Sequence, residues 1–136
     1  MNGAGAGPER GRKEIVSGPG VPTPLGPYSQ AVRSGGLLFV SGQAAVGDQP
    51  GTPVGDTFLA QARQAFANLL AVVRAGGSRA DLVLNVTVMM SDLGAFADLN
   101  QVFAEVFPAD PPARMTMQVG LAPGYLLSVA AVAVVE

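Results

Sequence analysis

Arg114 is the residue of this chain best suited to bind an anion. It lies in the stretch Pro111-Pro112-Ala113-Arg114-Met115-Thr116-Met117, and no other basic residue follows Ala80. A guanidinium stays charged at physiological pH and is costly to hold near apolar groups unless an anion or a ring of acceptors receives it. The sequence therefore predicts an anion-binding role for Arg114, with a snorkelling surface arginine or a structural ion pair as the alternative.

Uncharged polar side chains at three other places are candidates for holding a ligand or a water molecule. Tyr28 follows the rigid turn Gly26-Pro27, Ser41 and Gly42 end a predicted strand, and Asn100 flanks the apolar side of a predicted helix. Each of these residues alone is more often a packing, turn or solvated residue. A site is predicted only if the fold brings them together.

The composition excludes several kinds of chemistry. The 136 residues are 49% hydrophobic and include no cysteine and no histidine, which removes disulfides, thiol nucleophiles, imidazole catalysis and the usual zinc sites. The net charge of −2 argues against nucleic acid or anionic lipid as a partner. The apolar runs are too short to span a bilayer, so a cytoplasmic protein with no metal and no membrane contact is expected.

The spacing of apolar residues predicts one α+β domain. Residues 1–12 are Gly-rich with mixed charges and are predicted to form a flexible tail, and residues 13–136 to form the domain. Helices are predicted over 56–75, capped by Asp56 or Thr57, and over 93–107. Strands are predicted over 13–16, 28–33, 37–41, 82–90, 114–119 and 126–135. The predicted order is β-β-β-α-β-α-β-β.

Two helices can cover only one face of such a sheet. The strand over 126–135 is almost wholly apolar, which is typical of a strand covered on both faces. No third helix is predicted, so self-association is expected to cover the second face. A monomer whose sheet curls on itself is the alternative.

Five segments, taken in order, resemble the signature blocks of the RidA/YjgF family of reactive-intermediate deaminases, also called the endoribonuclease L-PSP family. They are residues 26–32, 38–43, 61–69, 96–100 and 112–114. The resemblance implies a chorismate-mutase-like α+β fold, with a mostly antiparallel sheet and two helices on one face. It also implies a homotrimer with a site in each cleft between subunits, and no cofactor.

The same resemblance assigns roles to the candidate residues. Arg114 matches the arginine that clamps the carboxylate of a 2-imino or 2-amino-acrylate-type acid released by pyridoxal-phosphate enzymes, a role suited to its planar fork. Tyr28, Ser41, Asn100 and Thr116 match positions that line the cleft. The implied reaction hydrolyses 2-imino acids to 2-keto acids and ammonia.

The last strand departs from the family at one position. Deaminating members carry there a glutamate that positions or activates the attacking water, and the alignment places Ser128 at that position and Ala130 at that of a second glutamate. Neither Asp92 nor Glu105 matches a site position that would replace it. Ser128 is therefore predicted to orient water without acting as a base.

This departure leaves two hypotheses about activity. Imines hydrolyse readily, so positioning by Arg114 and Ser128 can sustain a deaminase. A general base is typically worth about 10²–10⁴ in rate, so the alternative is a ligand-binding or chaperone-like trimer, or an enzyme retuned to another imine, enamine or cyclisation step. Ribonuclease activity, attached to some relatives, is disfavoured by the acidic charge balance, the absence of histidine and the single lysine.

Overall fold

Residues 11–136 fold as six strands and two α-helices in the predicted order. The computed structural model describes residues 11–136, so the predicted tail over 1–12 lies outside the described residues except for Gly11 and Arg12. The strands are β1 Glu14–Val16, β2 Ala31–Ser34, β3 Leu37–Gln43, β4 Val83–Met90, β5 Ala113–Gln118 and β6 Leu127–Val134. The helices are α1 Phe58–Ala75 and α2 Phe96–Val106.

Two element boundaries differ from the sequence prediction by three residues, for local reasons. Strand β2 begins at Ala31, three residues later than predicted, because the backbone N–H of Tyr28 donates to the carbonyl of Gly26 (2.9 Å) and closes a turn. Helix α2 begins at Phe96, because the Asp92 carboxylate accepts from the N–H of Gly94 (2.8 Å) and caps a short 3₁₀ turn instead. Helix α1 begins at Phe58 and is capped by Thr57, one of the two predicted caps, whose hydroxyl accepts from the N–H of Ala60 at 3.1 Å.

The strands form one mostly antiparallel sheet in the order β1-β2-β3-β6-β4-β5. Only the β4–β5 pair is parallel among the described residues, and α2 is the crossover that such a pair requires. Strand β5 therefore lies at one edge of the sheet, beside β4. Strands β3 and β6 lie at the centre.

Both helices cover the same face of the sheet. Helix α1 packs against β3 and β6, and α2 packs against α1. Their buried side chains join those of the strands in one hydrophobic core, in which the ring of Phe66 meets that of Phe103 edge to face with centroids 5.9 Å apart. The mostly antiparallel sheet with two helices on one face is thus confirmed.

No element of residues 11–136 covers the second face of the sheet, and we call it the open face. Its members alternate with the buried residues of each strand: Ile15, Val32, Ser34, Leu37, Phe39, Ser41, Ser128, Ala130, Val132, Val134, Asn85, Thr87, Met89, Ala113, Met115 and Met117. The side chains of Phe39 and Met115 are 47% and 61% exposed. Not one member of the open face is charged.

No helix among residues 11–136 is both long and apolar enough to cross a bilayer.

Candidate functional site

Arg114 lies on the edge strand β5 and points to the helix-covered face. It is in register with the buried Val86 of β4, which fixes the side of the sheet it occupies. Its guanidinium carbon lies 4.8 Å from the ring centroid of Phe103 and 5.4 Å from that of Phe96. Both distances are within the range of cation–π attraction, worth about 0.5–1 kcal/mol at a partly exposed site. The two rings hold the guanidinium in place without neutralising its charge.

Among residues 11–136, no carboxylate forms a salt bridge with Arg114. Glu105 of α2, which matched no site position in the sequence, is bound by Arg63 of α1 through a two-pronged contact of 3.0 and 2.9 Å. The hydrogen bond from Arg63 lowers the pKa of Glu105, so this carboxylate is ionised and already partnered. A structural ion pair for Arg114, the alternative, is therefore not seen within the described part of the chain.

Asn100 and Thr116 lie on the same side as Arg114. Asn100 stands four residues after Phe96 and three before Phe103, so it shares the face of α2 that carries the two rings, and it is exposed. Thr116 is partly buried and, two residues beyond Arg114 on β5, points to the same side of the sheet. We call Arg114, Phe96, Phe103, Asn100 and Thr116 the arginine cluster.

The two phenylalanines belong to the helix predicted over 93–107, but the sequence analysis did not name them as candidate site residues. Phe103 is 7% exposed and belongs to the core, but Phe96 is 42% exposed. Their spacing of seven residues, two helical turns, is the signal that was present in the sequence. It does not by itself indicate that an arginine from a later strand lies across the rings.

A second group of predicted site residues lies at a β-bulge on the open face. Ser41 and Gly42 of β3 together oppose Ala130 of β6, because Val40 pairs with Ala131 and Gln43 pairs with Val129. Two residues opposite one define a bulge, a feature often found beside active sites.

Ser128 lies against the bulge, on the same face. A Cβ atom at Gly42 would be 2.8 Å from the Ser128 hydroxyl oxygen, so only glycine leaves room there. Ser128 also pairs with Met89 of β4. We call Ser41, Gly42 and Ser128 the bulge cluster.

A polar network ties the bulge cluster to the loop that carries Tyr28. The Ser41 hydroxyl donates to the carbonyl of Ser29 at 2.6 Å. The buried amide of Gln43 donates to the Gln30 side chain at 2.7 Å, and Gln30 donates to the carbonyl of Pro22 at 2.9 Å. The Tyr28 ring is 46% exposed, and its hydroxyl accepts from the N–H of Leu25. These bonds position Tyr28 next to the strand that carries Ser41.

Buried amides of α1 hold the loops on either side of the bulge cluster. Gln61 donates to the carbonyls of Gly55 (3.2 Å) and Gly124 (2.9 Å) and accepts from the N–H of Leu126 at 2.9 Å. Asn68, two turns further along α1, donates to the carbonyls of Ala44 and Val46 at 2.9 and 2.8 Å. Gln61 thus fixes the segment that enters β6 before Ser128, a role that no sequence signal identified.

A shallow depression of about 310 Å³ lies on the open face beside the bulge cluster. Its wall includes Phe39, Ser41, Asn85, Thr87, Ala130 and Val132. Every polar group in this wall is uncharged. Within the described part of the chain, no group of three or more His, Cys, Asp or Glu side chains is arranged to hold a metal ion.

One chain does not bring the two clusters together. Strands β6 and β4 separate β3 from β5, so three strand spacings, about 14 Å, lie between Ser41 and Arg114. The clusters also lie on opposite faces of the sheet. Arg114 and Ser128 therefore do not meet within the single chain.

A mostly antiparallel sheet with two helices on one face, an uncovered second face and an arginine on the edge strand defines a chorismate-mutase-like α+β domain. Residues 20–135 match the endoribonuclease L-PSP family. The chain belongs to this family, the RidA/YjgF family, as its signature blocks predicted.

Individual relatives agree with this assignment. A RutC family protein of Pyrococcus horikoshii is 36% identical over 125 residues, 91% of this chain and 99% of the relative. A 2-iminobutanoate/2-iminopropanoate deaminase of Dermatophagoides farinae is 37% identical over 111 residues, 82% of this chain and 87% of the relative. The crystal structure of E. coli TdcF with bound serine is 33% identical and matches with a TM-score of 0.81 over 90% of this chain and 99% of that chain.

Proposed function

We propose that the chain assembles as a homotrimer whose inter-subunit clefts bind small carboxylate-bearing imine and enamine intermediates. We further propose that it hydrolyses 2-imino acids to 2-keto acids and ammonia without a cofactor. The observation that carries the proposal is Arg114, a guanidinium packed on two aromatic rings and bound by no carboxylate of residues 11–136. The name of the relative from Dermatophagoides farinae supports the reaction class.

The uncharged open face supports the assembly. Exposed Phe39 and Met115 lie on strands β3 and β5, and burial of such side chains against a second copy is favourable at about 25 cal/mol per Å². A second copy is also what would bring the bulge cluster of one subunit to the arginine cluster of another. Tyr28, Ser41 and Ser128 would then face Arg114, Asn100 and Thr116 across the cleft.

In this cleft the fork of Arg114 holds the ligand carboxylate by two charge-assisted hydrogen bonds, which fixes the position of C2. A water molecule held by the hydroxyls of Ser128 and Ser41 adds its oxygen to the C=N carbon, and the imine nitrogen takes up the proton that the water loses, which gives a carbinolamine. The carbinolamine then loses ammonia, and its remaining hydroxyl becomes the keto group. Positioning supplies the rate enhancement, because no carboxylate lies on the open face to take the proton from water.

A second candidate function is ligand binding without appreciable turnover. It is favoured by one specific observation, the serine at position 128 on an open face without ionisable side chains. In that case carboxylate binding through Arg114 persists while imine hydrolysis is no faster than in free solution.

Calorimetric titration with 2-oxobutanoate tests the binding step. The Arg114→Lys variant is expected to raise Kd at least about tenfold, because an ammonium cannot reproduce the two-pronged contact. Arg63→Lys is the matched control, since Arg63 lies in an exposed ion pair with Glu105. Equal affinities in wild type and Arg114→Lys, or no binding to wild type, would refute the proposed site.

A coupled assay tests the chemical step. A pyridoxal-phosphate dehydratase supplied with threonine generates 2-iminobutanoate, and its disappearance is followed with and without the protein. Faster disappearance that is lost in Arg114→Lys supports the deaminase. Disappearance at the uncatalysed rate, with binding intact, supports the second candidate.

A further inference from the structure

Only one of the two clusters carries a charged side chain. The open face carries Ser41, Asn85, Thr87 and Ser128 as its polar groups around the bulge and the depression, and all of them are neutral. The arginine cluster contributes one full positive charge from Arg114 and the neutral side chains of Asn100 and Thr116. Together the two clusters contribute one cation and no anion to the proposed cleft.

Of the three acidic residues between positions 92 and 106, two are engaged elsewhere, and the third, Asp98, lies about 200° around α2 from both Phe96 and Asn100. Glu105 is bound to Arg63 by two hydrogen bonds of 3.0 and 2.9 Å on the outer side of the helices. Asp92 accepts from the N–H of Gly94 and caps the turn before α2. Neither carboxylate is therefore placed to pair with a cationic group of a ligand next to Arg114.

Ligands with the same carboxylate differ in what they present at C2. A 2-keto acid, a 2-hydroxy acid and a neutral imine or enamine are monoanions, so their one charge meets Arg114 and their C2 substituent meets neutral hydroxyls. A 2-amino acid is a zwitterion at neutral pH. When it binds, its ammonium loses its contacts with water, lies near a guanidinium and finds no anion to receive it. An unpartnered polar group costs about 1–3 kcal/mol, and a charged group costs more.

We propose that the cleft selects monoanionic carboxylates over zwitterionic amino acids, and that Ser128 is the residue that sets this preference. The proposal rests on the proposed function, because it needs Arg114 and Ser128 to meet across two copies. It makes this chain differ from the E. coli relative whose crystal structure contains bound serine. The protein then holds the keto product or neutral imine while amino acids present in excess do not compete.

Three ligands of equal carbon skeleton test the preference by calorimetry at pH 7: 2-oxobutanoate, L-2-hydroxybutanoate and L-2-aminobutanoate. The first two are monoanions and the third is a zwitterion, while the second and third share a tetrahedral C2. We expect the hydroxy acid to bind close to the keto acid, and the amino acid to bind at least about tenfold more weakly than both. A hydroxy acid that binds as weakly as the amino acid would overturn the proposal, since shape and not charge would then decide.

Variants at position 128 test the assignment to Ser128. Ser128→Glu is expected to strengthen binding of 2-aminobutanoate relative to 2-oxobutanoate, because the ammonium gains an anion. Ser128→Gln matches the glutamate in size without its charge. It is expected to keep the order of affinities for the three ligands. The same shift in both variants would overturn the role of charge at this position.

The outcomes distinguish this proposal from the proposed function on which it rests. Equal affinity for all three ligands, all weakened by Arg114→Lys, refutes the preference and leaves the carboxylate site standing. No affinity for any of the three, or affinities that Arg114→Lys leaves unchanged, refutes the carboxylate site itself. Raising the pH above the pKa of the ligand ammonium is expected to bring the affinity for 2-aminobutanoate close to the affinities for the two monoanions. A ratio of affinities that stays constant across that pH range would also contradict the proposal.

Discussion

The arginine cluster and the bulge cluster are built in opposite ways. The arginine cluster places one full charge on two aromatic rings, and packing rather than hydrogen bonding positions it. The bulge cluster contains only neutral groups, and a chain of hydrogen bonds from Ser41, Gln43 and Gln30 positions it. One cluster therefore supplies attraction for an anion and the other supplies directed hydrogen bonds, and neither is a complete site by itself.

The largest expected effect comes from preventing the assembly that would bring the two clusters together. Phe39→Glu introduces a charge at a central strand of the open face, and burying that charge against a second copy is costly. Light scattering is expected to give three times the 13.7 kDa chain mass for the wild type and a single chain mass for the variant, with loss of 2-oxobutanoate binding. Ala67→Glu, on the exposed side of α1, is the matched control. A monomeric wild type would refute both the assembly and the shared cleft.

The next largest effect concerns the support of the bulge cluster. Gln61→Met keeps the side-chain length but removes three hydrogen bonds and leaves the carbonyl of Gly124 and the N–H of Leu126 without this partner. The free energy of unfolding is expected to fall by about 2–3 kcal/mol. Urea denaturation at one fixed protein concentration measures it, since assembly makes stability depend on concentration.

Gln101→Met, an exposed glutamine of α2, is the control for that substitution and is expected to change stability by less than about 0.5 kcal/mol. A similar change in the free energy of unfolding for Gln61→Met and Gln101→Met would mean that the buried amide of Gln61 does not hold the segment before β6.

A smaller effect is expected inside the bulge cluster. Gly42→Ala places a methyl group 2.8 Å from the Ser128 hydroxyl oxygen, and the resulting shift is expected to cost about 1 kcal/mol. Ser128→Ala removes the atom that is in the way, so the double variant is expected to recover most of the loss. Denaturation of the two single variants and the double variant gives the coupling energy. Strictly additive changes would show that Gly42 and Ser128 do not contact each other as described.

The smallest effect belongs to the exposed ion pair between Arg63 and Glu105. The pKa of Glu105 is lowered by Arg63, so its stabilising contribution is present above the ordinary carboxyl pKa near 4.5 and is lost as the pH falls through the lowered value. Glu105→Gln is expected to lower the melting temperature slightly at pH 7. The difference from wild type is expected to shrink below pH 4.5 and with added salt. A difference that persists at low pH would contradict the ionic origin.

Much of the fold follows from local patterns in the sequence. The apolar repeat of α1, its Thr57 cap and the Gly76-Gly77 stop define a helix that propensity and capping already favour. The end of α2 before Pro108 has the same kind of local cause. The start of β2 was predicted too early, because the turn closed by Tyr28 depends on hydrogen bonds that strand propensity does not report.

The sequence by itself determined the chemical inventory: one arginine in an apolar stretch, no histidine or cysteine, and a serine at position 128. Only the tertiary structure decided that Arg114 packs on Phe96 and Phe103, while Ser128 lies on the other face of the sheet. The physical reason is that the side of a strand depends on its register and on the bulge at Ser41-Gly42. Register is set by contacts between residues far apart in the chain, and these contacts exist only once the sheet has formed.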